Sequence, residues 1–241
     1  MSVSPPPPPT LPKRFYKTAS VAEREGGFGV ALDERTLRTP GGTVFVAPTR
    51  ALAERCAAEW GAQGEFISPP SMPISQLAFA ALDLTGKNRE QIADYVKAFG
   101  ETDLCCHRAE APVDLAAAQA EIWDPVVAWA AGSLDVALPV VAGIVAAPVS
   151  EDALARLRRL ALELDDFHLT ALSQAAGLAG SVLIAFALLR GALTPQQAFE
   201  AATFDNLWSL RRWGEDEVAR ARLERQRAEF EAIGRYLQAL K

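Results

Sequence analysis

The stretch from Val30 to Trp60, VALDERTLRTPGGTVFVAPTRALAERCAAEW, changes its pattern at Thr49. Before Thr49, short runs of β-branched and aromatic residues are separated by turn residues, which is typical of β-hairpins. After Thr49, Leu52, Cys56 and Trp60 recur four residues apart, as residues do on one face of a helix. Thr49 is also a suitable N-cap residue. The sequence therefore predicts a small antiparallel sheet that is followed by helices.

Helix signals dominate the rest of the chain. The run Ala179–Leu189 predicts a buried core helix, since it is shorter than the roughly 20 residues that cross a bilayer. The segment 136–149 has two prolines and a glycine among β-branched residues and predicts an extended connector. Helix starts are predicted near Pro73, at Asn88 with Gln91 in a capping-box-like pair, at Asp114, at Asp124–Pro125, at Ser150, at Thr194 and near Glu215. The buried face of the helix after Asn88 is predicted to contain Ile92, Tyr95, Val96 and Phe99.

The order of these patterns predicts the α+β fold class with two domains. Residues 13–110 form a small N-terminal domain with an antiparallel β-sheet and helices, and residues 111–241 form an all-α C-terminal helical domain. The first twelve residues, MSVSPPPPPTLP, predict a disordered Pro-rich tail.

Composition excludes several functional classes. The 241 residues carry a formal net charge of -6, which disfavours a nucleic-acid partner. No apolar run is long enough to predict membrane insertion. The three cysteines form no disulfide framework and indicate a reducing compartment such as the bacterial cytoplasm.

The hexapeptide DLCCHR at 103–108 is the strongest candidate for chemistry because it holds two cysteines and a histidine. A metal site would need three or four ligands, and Cys105, Cys106 and His107 are consecutive and point in divergent directions. A cysteine nucleophile could use His168, oriented by Asp165 or Asp166.

The third reading of the hexapeptide is that the cysteines are small buried side chains at a helix end. We therefore predict no metal, no cofactor and no functional need for either thiol. The pair Asp165–Asp166 is predicted to lie on a solvated helix face, because adjacent helical residues do not face each other. The glycine-rich run at 26–29 predicts a turn, since no helix start follows it as in a phosphate-binding loop.

Eight segments in succession resemble one known family. They are RFYK at 14–17, VALDERTLRTP at 30–40, AAEWGAQ at 57–63, SMPISQLA at 71–78, DLCCHRA at 103–109, IWDPVVAW at 122–129, GSVLIAFAL at 180–188 and LWSLRRWGED at 207–216. This series resembles the F1-ATPase assembly chaperones, specifically the branch whose client is the alpha subunit, found in mitochondria and alphaproteobacteria. In that family the DLCCHR position carries a DL-x-C-x-R-A pattern that closes a helix.

The resemblance implies that the protein is not an enzyme. It implies binding of the unassembled F1 alpha subunit, which would otherwise aggregate, until the beta subunit replaces the chaperone. It also implies an α+β domain followed by a helical domain, no nucleotide or metal, and a location in the bacterial cytoplasm, or in the mitochondrial matrix for eukaryotic relatives. The alternatives are a small cytosolic thiol-dependent hydrolase that uses Cys105 or Cys106, and a general holdase for exposed apolar segments.

The resemblance also implies a partner-binding region before the C-terminal helix, where the family carries an acidic residue ahead of aromatic residues. Asn206 stands at about that position here, and Asp205 is the nearest acidic substitute. The predicted partner-binding residues are Asp205, Trp208, Arg211, Arg212, Trp213 and Glu215. The alternative for Trp208 and Trp213 is packing between helices, and Trp60 is predicted to be a core residue.

Overall fold

A computed structural model describes residues 11–214 and 217–241. Residues 1–10 of the predicted Pro-rich tail therefore lie outside the described residues. Contacts between Cα atoms divide the chain after Gln76 into two compact units. The predicted α+β fold class is confirmed, because an antiparallel sheet precedes a long series of helices.

The N-terminal unit contains a three-stranded antiparallel sheet in the order β1 (Ala19–Arg24), β2 (Gly27–Leu32) and β3 (Arg35–Thr36). Residues 25–26 form the turn that connects β1 to β2, so the turn predicted at 26–29 is confirmed at Gly26 alone, and residues 27–29 belong to β2. A side chain at Gly27 would collide with the Ala47 carbonyl oxygen, only 2.2 Å from an added Cβ. The predicted strand at 43–46 is reduced to isolated bridges with neighbouring segments, and these bridges involve Val44 and Ala47.

Helix α1 (Arg50–Gly61) follows the sheet, as predicted. The Thr49 hydroxyl accepts a hydrogen bond from the Leu52 amide and caps the helix. Leu52, Cys56 and Trp60 are all buried, so the predicted core stripe is confirmed. The Tyr16 hydroxyl donates to the Trp60 carbonyl at 2.8 Å and fixes the end of the helix on the segment that enters the sheet.

The boundary between the units falls within helix α2 (Pro73–Asp83), which begins at the predicted residue. The elements that follow are α3 (Arg89–Ala98), β4 (His107–Arg108), α4 (Val113–Leu134), β5 (Val141–Ala142), α5 (Glu151–Leu162), α6 (Asp166–Ala179), α7 (Val182–Leu189), α8 (Pro195–Ala202), α9 (Phe204–Trp213) and α10 (Glu217–Ala239). Short 3-10 turns lie at Pro69–Ser71, Thr85–Lys87 and Leu104–Cys106. The predicted caps at Ser150 and Thr194 are confirmed, and Thr194 forms a complete capping box with Gln197.

The prediction of two consecutive helices that start at Asp114 and Asp124 is wrong. Helix α4 runs without interruption from Val113 to Leu134 and contains Pro125 in its interior. Trp123 and Val126 are buried on either side of this proline. Burial of this apolar face maintains one helix through a residue that normally weakens helices by about 3 kcal/mol.

The helical core centres on α7, whose residues from Val182 to Leu188 are all buried. The predicted single helix over Ala179–Leu189 is wrong in one respect, because Gly180 ends α6 in the left-handed conformation and α7 starts anew after Ser181. Helix α3 departs from its predicted buried face. Val96 is buried, but Tyr95 remains 50% exposed.

Helix α3 also differs from prediction at its start. Asn88 makes no capping bond and instead donates from its side-chain amide to the Leu84 carbonyl. The helix packs on α5 and α6, and Arg158 of α5 pairs with Glu90 and Asp94. These contacts explain why the boundary defined by contacts precedes the one predicted at residue 110.

The predicted connector over 136–149, all of which is described, contains no helix, but a bend at 143–145 interrupts it, and its two-residue strand β5 pairs in parallel with β4. Within the described part of the chain, no helix combines the length and apolarity that a bilayer crossing requires.

Candidate functional site

The DLCCHR segment is a buried structural junction. The Asp103 carboxylate accepts hydrogen bonds from the Cys105 amide at 2.9 Å, the Ser181 hydroxyl at 2.7 Å and the Leu183 amide at 3.1 Å. One carboxylate therefore joins the 3-10 turn at Leu104–Cys106 to the start of α7. Burial raises the pKa of Asp103 to about 6, although these donors act in the opposite direction.

The prediction that DLCCHR closes a helix is wrong. Helix α3 ends at Ala98, and the segment forms a separate 3-10 turn followed by β4. The reason is that the Asp103 side chain caps this turn and also accepts hydrogen bonds from Ser181 and Leu183 at the start of α7. The predicted burial is confirmed, since Cys105 and Cys106 are 0% and 5% exposed.

Both thiols in this segment are poor nucleophiles. Burial raises the pKa of Cys106 to about 12 and the pKa of Cys105 well above its usual value, and the Asp103 carboxylate adds to both effects. The reactive form of cysteine is the thiolate, which this environment disfavours. The proposed helper His168 contacts Asp165 through Nδ1 and Oδ2 at 2.6 Å.

The two adjacent aspartates have side chains that are 59% and 38% exposed, which agrees with the predicted solvated face, and they have different structural roles. Asp165 caps α6 by accepting from the Phe167 and His168 amides. Asp166 pairs with Arg89 of α3. Each carboxylate is drawn to a different partner because neighbouring side chains leave a helix in different directions.

Arg108 completes the junction from a buried position. Its guanidinium donates to the Cys105 carbonyl and to Asp124 of α4, both at 2.5 Å, and it lies over the Trp123 ring at 5.2 Å.

Among residues 11–214 and 217–241, no cluster of three or more His, Cys, Asp or Glu side chains could hold a metal ion.

The predicted partner-binding residues lie on α9, which contacts α4. Asp205 is exposed in the first turn of α9, and its carboxylate accepts from the Gln119 side-chain amide at 2.8 Å. Gln119 is buried, and its carbonyl oxygen accepts from the Ala109 amide at 2.7 Å. The Asp205 side chain is thus oriented by the side-chain amide of Gln119, which the backbone amide of Ala109 holds in place.

A row of aromatic rings connects this helix to the core. The buried Trp123 lies edge-on to Phe204, with ring centroids 6.0 Å apart, and Phe204 lies 6.0 Å from Trp208. The Trp123 indole N–H donates to the Ala201 carbonyl at 2.9 Å. Trp208 is partly exposed at the outer end of this row. It therefore packs in part within the fold while presenting ring surface to solvent.

The remaining predicted residues lie toward the end of α9. Arg212 is exposed and donates to Asp114 of α4 at 3.0 Å. Arg211 is exposed and has no ion-pair partner among the described residues. Trp213 ends the helix, and Glu215 lies outside the described residues. The structure thus brings Asp205, Trp208 and Arg212 together along one short helix that is anchored on α4.

A cleft on α4, the helix that α9 contacts, was not predicted from the sequence. It has a volume of about 360 Å³ and lies between α4, the segment after α7, and α8. Its lining residues are Glu121, Ile122, Pro125, Val126, Trp129, Ala187, Ala192, Leu193, Gln197, Glu200 and Ala201. The signal in the sequence is Pro125 within an otherwise helical apolar pattern, which was interpreted as a helix start.

Comparison with known proteins places the chain in the class of assembly chaperones. The sequence model of the family described as ATP12 chaperone protein matches residues 13–131. The mitochondrial atp12 protein of Schizosaccharomyces pombe is 25% identical over 228 residues, which is 90% of this chain and 78% of that protein.

Solved structures extend this similarity over nearly the whole fold. The crystal structure of Atp12 from Paracoccus denitrificans superposes on this fold with a TM-score of 0.90, and the two sequences are 36% identical. The match covers 95% of this chain and 99% of that one. An aspartate-to-lysine mutant of the same protein is 35% identical, with a TM-score of 0.90 over 95% of this chain and 98% of that one. The chain belongs to the ATP12 chaperone family, the F1-ATPase assembly chaperones that its motifs resemble.

Proposed function

We propose that the client of this chaperone is the unassembled alpha subunit of F1-ATPase, which it keeps from aggregating until the beta subunit replaces it. The observation that carries the proposal is family membership together with the ordered motif series, which resembles the branch that binds the alpha subunit. An unassembled subunit exposes an apolar interface that promotes self-association. A chaperone must cover this interface and bind less tightly than the final partner.

The contact residues that we propose are those on and just after α9: Asp205, Trp208, Arg211, Arg212, Trp213 and Glu215. The surface formed by Asp205 and Trp208 supports this choice. An exposed carboxylate oriented by Gln119 and a partly exposed indole supported by Phe204 have little freedom to lose on binding. Tryptophan and arginine are also frequent among the residues that contribute most to protein interfaces.

We further propose that the protein is not an enzyme and acts in the bacterial cytoplasm without cofactor. The raised pKa values of Cys105 and Cys106 argue against a thiol-dependent hydrolase. Three unpaired cysteines are consistent with a reducing compartment. One observation favours a general holdase as a second candidate, because Ile144 and Val145 are 96% and 79% exposed.

The test is to mix the purified chain with isolated alpha subunit and measure light scattering and complex formation by gel filtration. Suppressed aggregation, a soluble complex and release on addition of beta are expected. Indifference to alpha would overturn the proposal. Equal binding of unrelated unfolded proteins would support the general holdase instead.

A further inference from the structure

The cleft on α4 combines large apolar side chains, here called its apolar floor, with two exposed carboxylates, here called its acidic rim. Ile122, Trp129 and Leu193 supply large apolar surfaces, and Ile122 is 38% exposed. Glu121 and Glu200 supply exposed carboxylates, and none of the lysines or arginines that the structure describes is a lining residue. Such a cleft is electrostatically complementary to an apolar group that has a cation beside it.

Pro125 gives the cleft a further polar feature. Proline has no amide N–H, so the Glu121 carbonyl lacks the donor that the residue four positions later supplies in a regular helix. Both residues line the cleft. A backbone carbonyl without its helical donor adds to the preference of the rim for hydrogen-bond donors and cations.

Helix α4 carries residues of the cleft and also a residue that holds α9. Gln119, which holds Asp205, lies three positions before Ile122 on α4, and residues at this spacing are neighbours on a helix surface. Ala201 lines the cleft and accepts the hydrogen bond from Trp123, whose ring supports Phe204 of α9. Helix α4 and Ala201 thus contribute both to the cleft and to the support of α9.

We propose that this cleft is a docking site for an amphipathic segment of the client, which inserts large apolar side chains and places a lysine or arginine against Glu121 and Glu200. The inference rests on the proposed function, since the client is the protein that the chaperone protects. The volume of about 360 Å³ suits side chains rather than a whole folded surface. Apolar burial supplies affinity, and the carboxylates select segments with a neighbouring cation.

The experiment compares two double variants that change the net charge equally. Glu121→Lys with Glu200→Lys reverses the rim of the cleft. Glu224→Lys with Glu229→Lys reverses two exposed carboxylates on α10 and serves as the matched control. Binding of isolated alpha subunit is titrated at low and high salt, circular dichroism verifies folding, and sedimentation velocity reports self-association.

The cleft variant should bind alpha at least about tenfold more weakly at low salt, while the control should stay close to the unmodified protein. Ile122→Ser should also weaken binding, and Leu84→Ser, at a 59% exposed apolar residue outside the cleft lining, should not. Together these results would show that both the acidic rim and the apolar floor contact the client.

Three outcomes would overturn the docking site. Unchanged binding by a folded cleft variant would exclude contact with the rim, and an equal loss in both charge variants would indicate long-range attraction only. A change in self-association without a change in alpha binding would identify a second copy of this chain as the occupant. If the unmodified protein fails to bind alpha, the proposed function fails before these variants are compared.

Discussion

The junction at 103–108 and helix α9 use similar residue types in opposite environments. In the junction, Asp103 and Arg108 are buried and each contacts several fixed groups. On α9, Asp205 is exposed and its carboxylate accepts from the Gln119 side chain, while Arg211 has no ion-pair partner in the described residues. Charged groups with many buried partners hold the fold together, whereas oriented but exposed groups remain available to another protein.

The sharpest test of this contrast is Asp103→Ala. Removal of the carboxylate leaves the Ser181 hydroxyl and the Cys105 and Leu183 amides buried without their acceptor. Each unsatisfied buried group costs about 1 to 3 kcal/mol, so the free energy of unfolding should fall by about 3 to 5 kcal/mol. Urea denaturation followed by circular dichroism measures the change. A loss as small as that of an exposed carboxylate would contradict the structural role of Asp103.

The second prediction concerns pH. Asp103 has a folded pKa of about 6, above the ordinary value of 3.8, so the folded state binds more protons between these values. Protonation of Asp103 therefore contributes to the free energy of unfolding. This contribution is fully present below pH 3.8 and is lost as the pH rises through 6, and the size of the pKa shift corresponds to about 3 kcal/mol.

The stability difference between the unmodified protein and Asp103→Asn isolates this titration from that of other carboxylates. We expect the unmodified protein to lose stability relative to the variant as the pH rises from 4 to 7. A difference that stays constant over this range would show that Asp103 does not titrate there.

A smaller loss is expected for Arg108→Lys. The ammonium group keeps the charge but lacks the planar fork that reaches the Cys105 carbonyl and Asp124 while stacking over Trp123. The free energy of unfolding should fall by about 1 to 2 kcal/mol, the usual effect of a lost buried hydrogen bond. Arg211→Lys on α9 is the matched control, and an equal loss in both variants would remove the distinction between the two regions.

Local patterns predicted much of this fold because their causes lie within a few residues. Thr49, Ser150 and Thr194 begin helices through their own side chains, so their positions are visible in the sequence. Pro125 was misleading because burial of Trp123 and Val126 decides the continuity of α4, and these are long-range contacts. Tertiary packing overrides local propensity in such cases.

Less of the candidate site than of the fold could be predicted from the sequence. The resemblance pointed to Asp205 and Trp208, but Gln119 lies on a different helix, and its hydrogen bond to Asp205 joins residues 86 positions apart. The cleft combines three separate segments for the same reason. The DLCCHR segment attracted attention through its residue types, whereas its burial, which determines the pKa of both thiols, depends on α7.

Asp205→Ala should have the smallest effect on stability and the clearest effect on the client. Its loss removes an acceptor from the buried Gln119 amide, but Asp205 itself is exposed, so water can take the place of the carboxylate. The free energy of unfolding should therefore change by no more than about 1 kcal/mol. Binding of isolated alpha subunit should nevertheless weaken, because the contact surface loses its oriented carboxylate. Asp152→Ala, an exposed first-turn acidic residue of α5, is the matched control. If Asp205→Ala binds alpha normally, the exposed Asp205 carboxylate does not contact the client. The junction and α9 would then differ only in how much their charged residues contribute to stability.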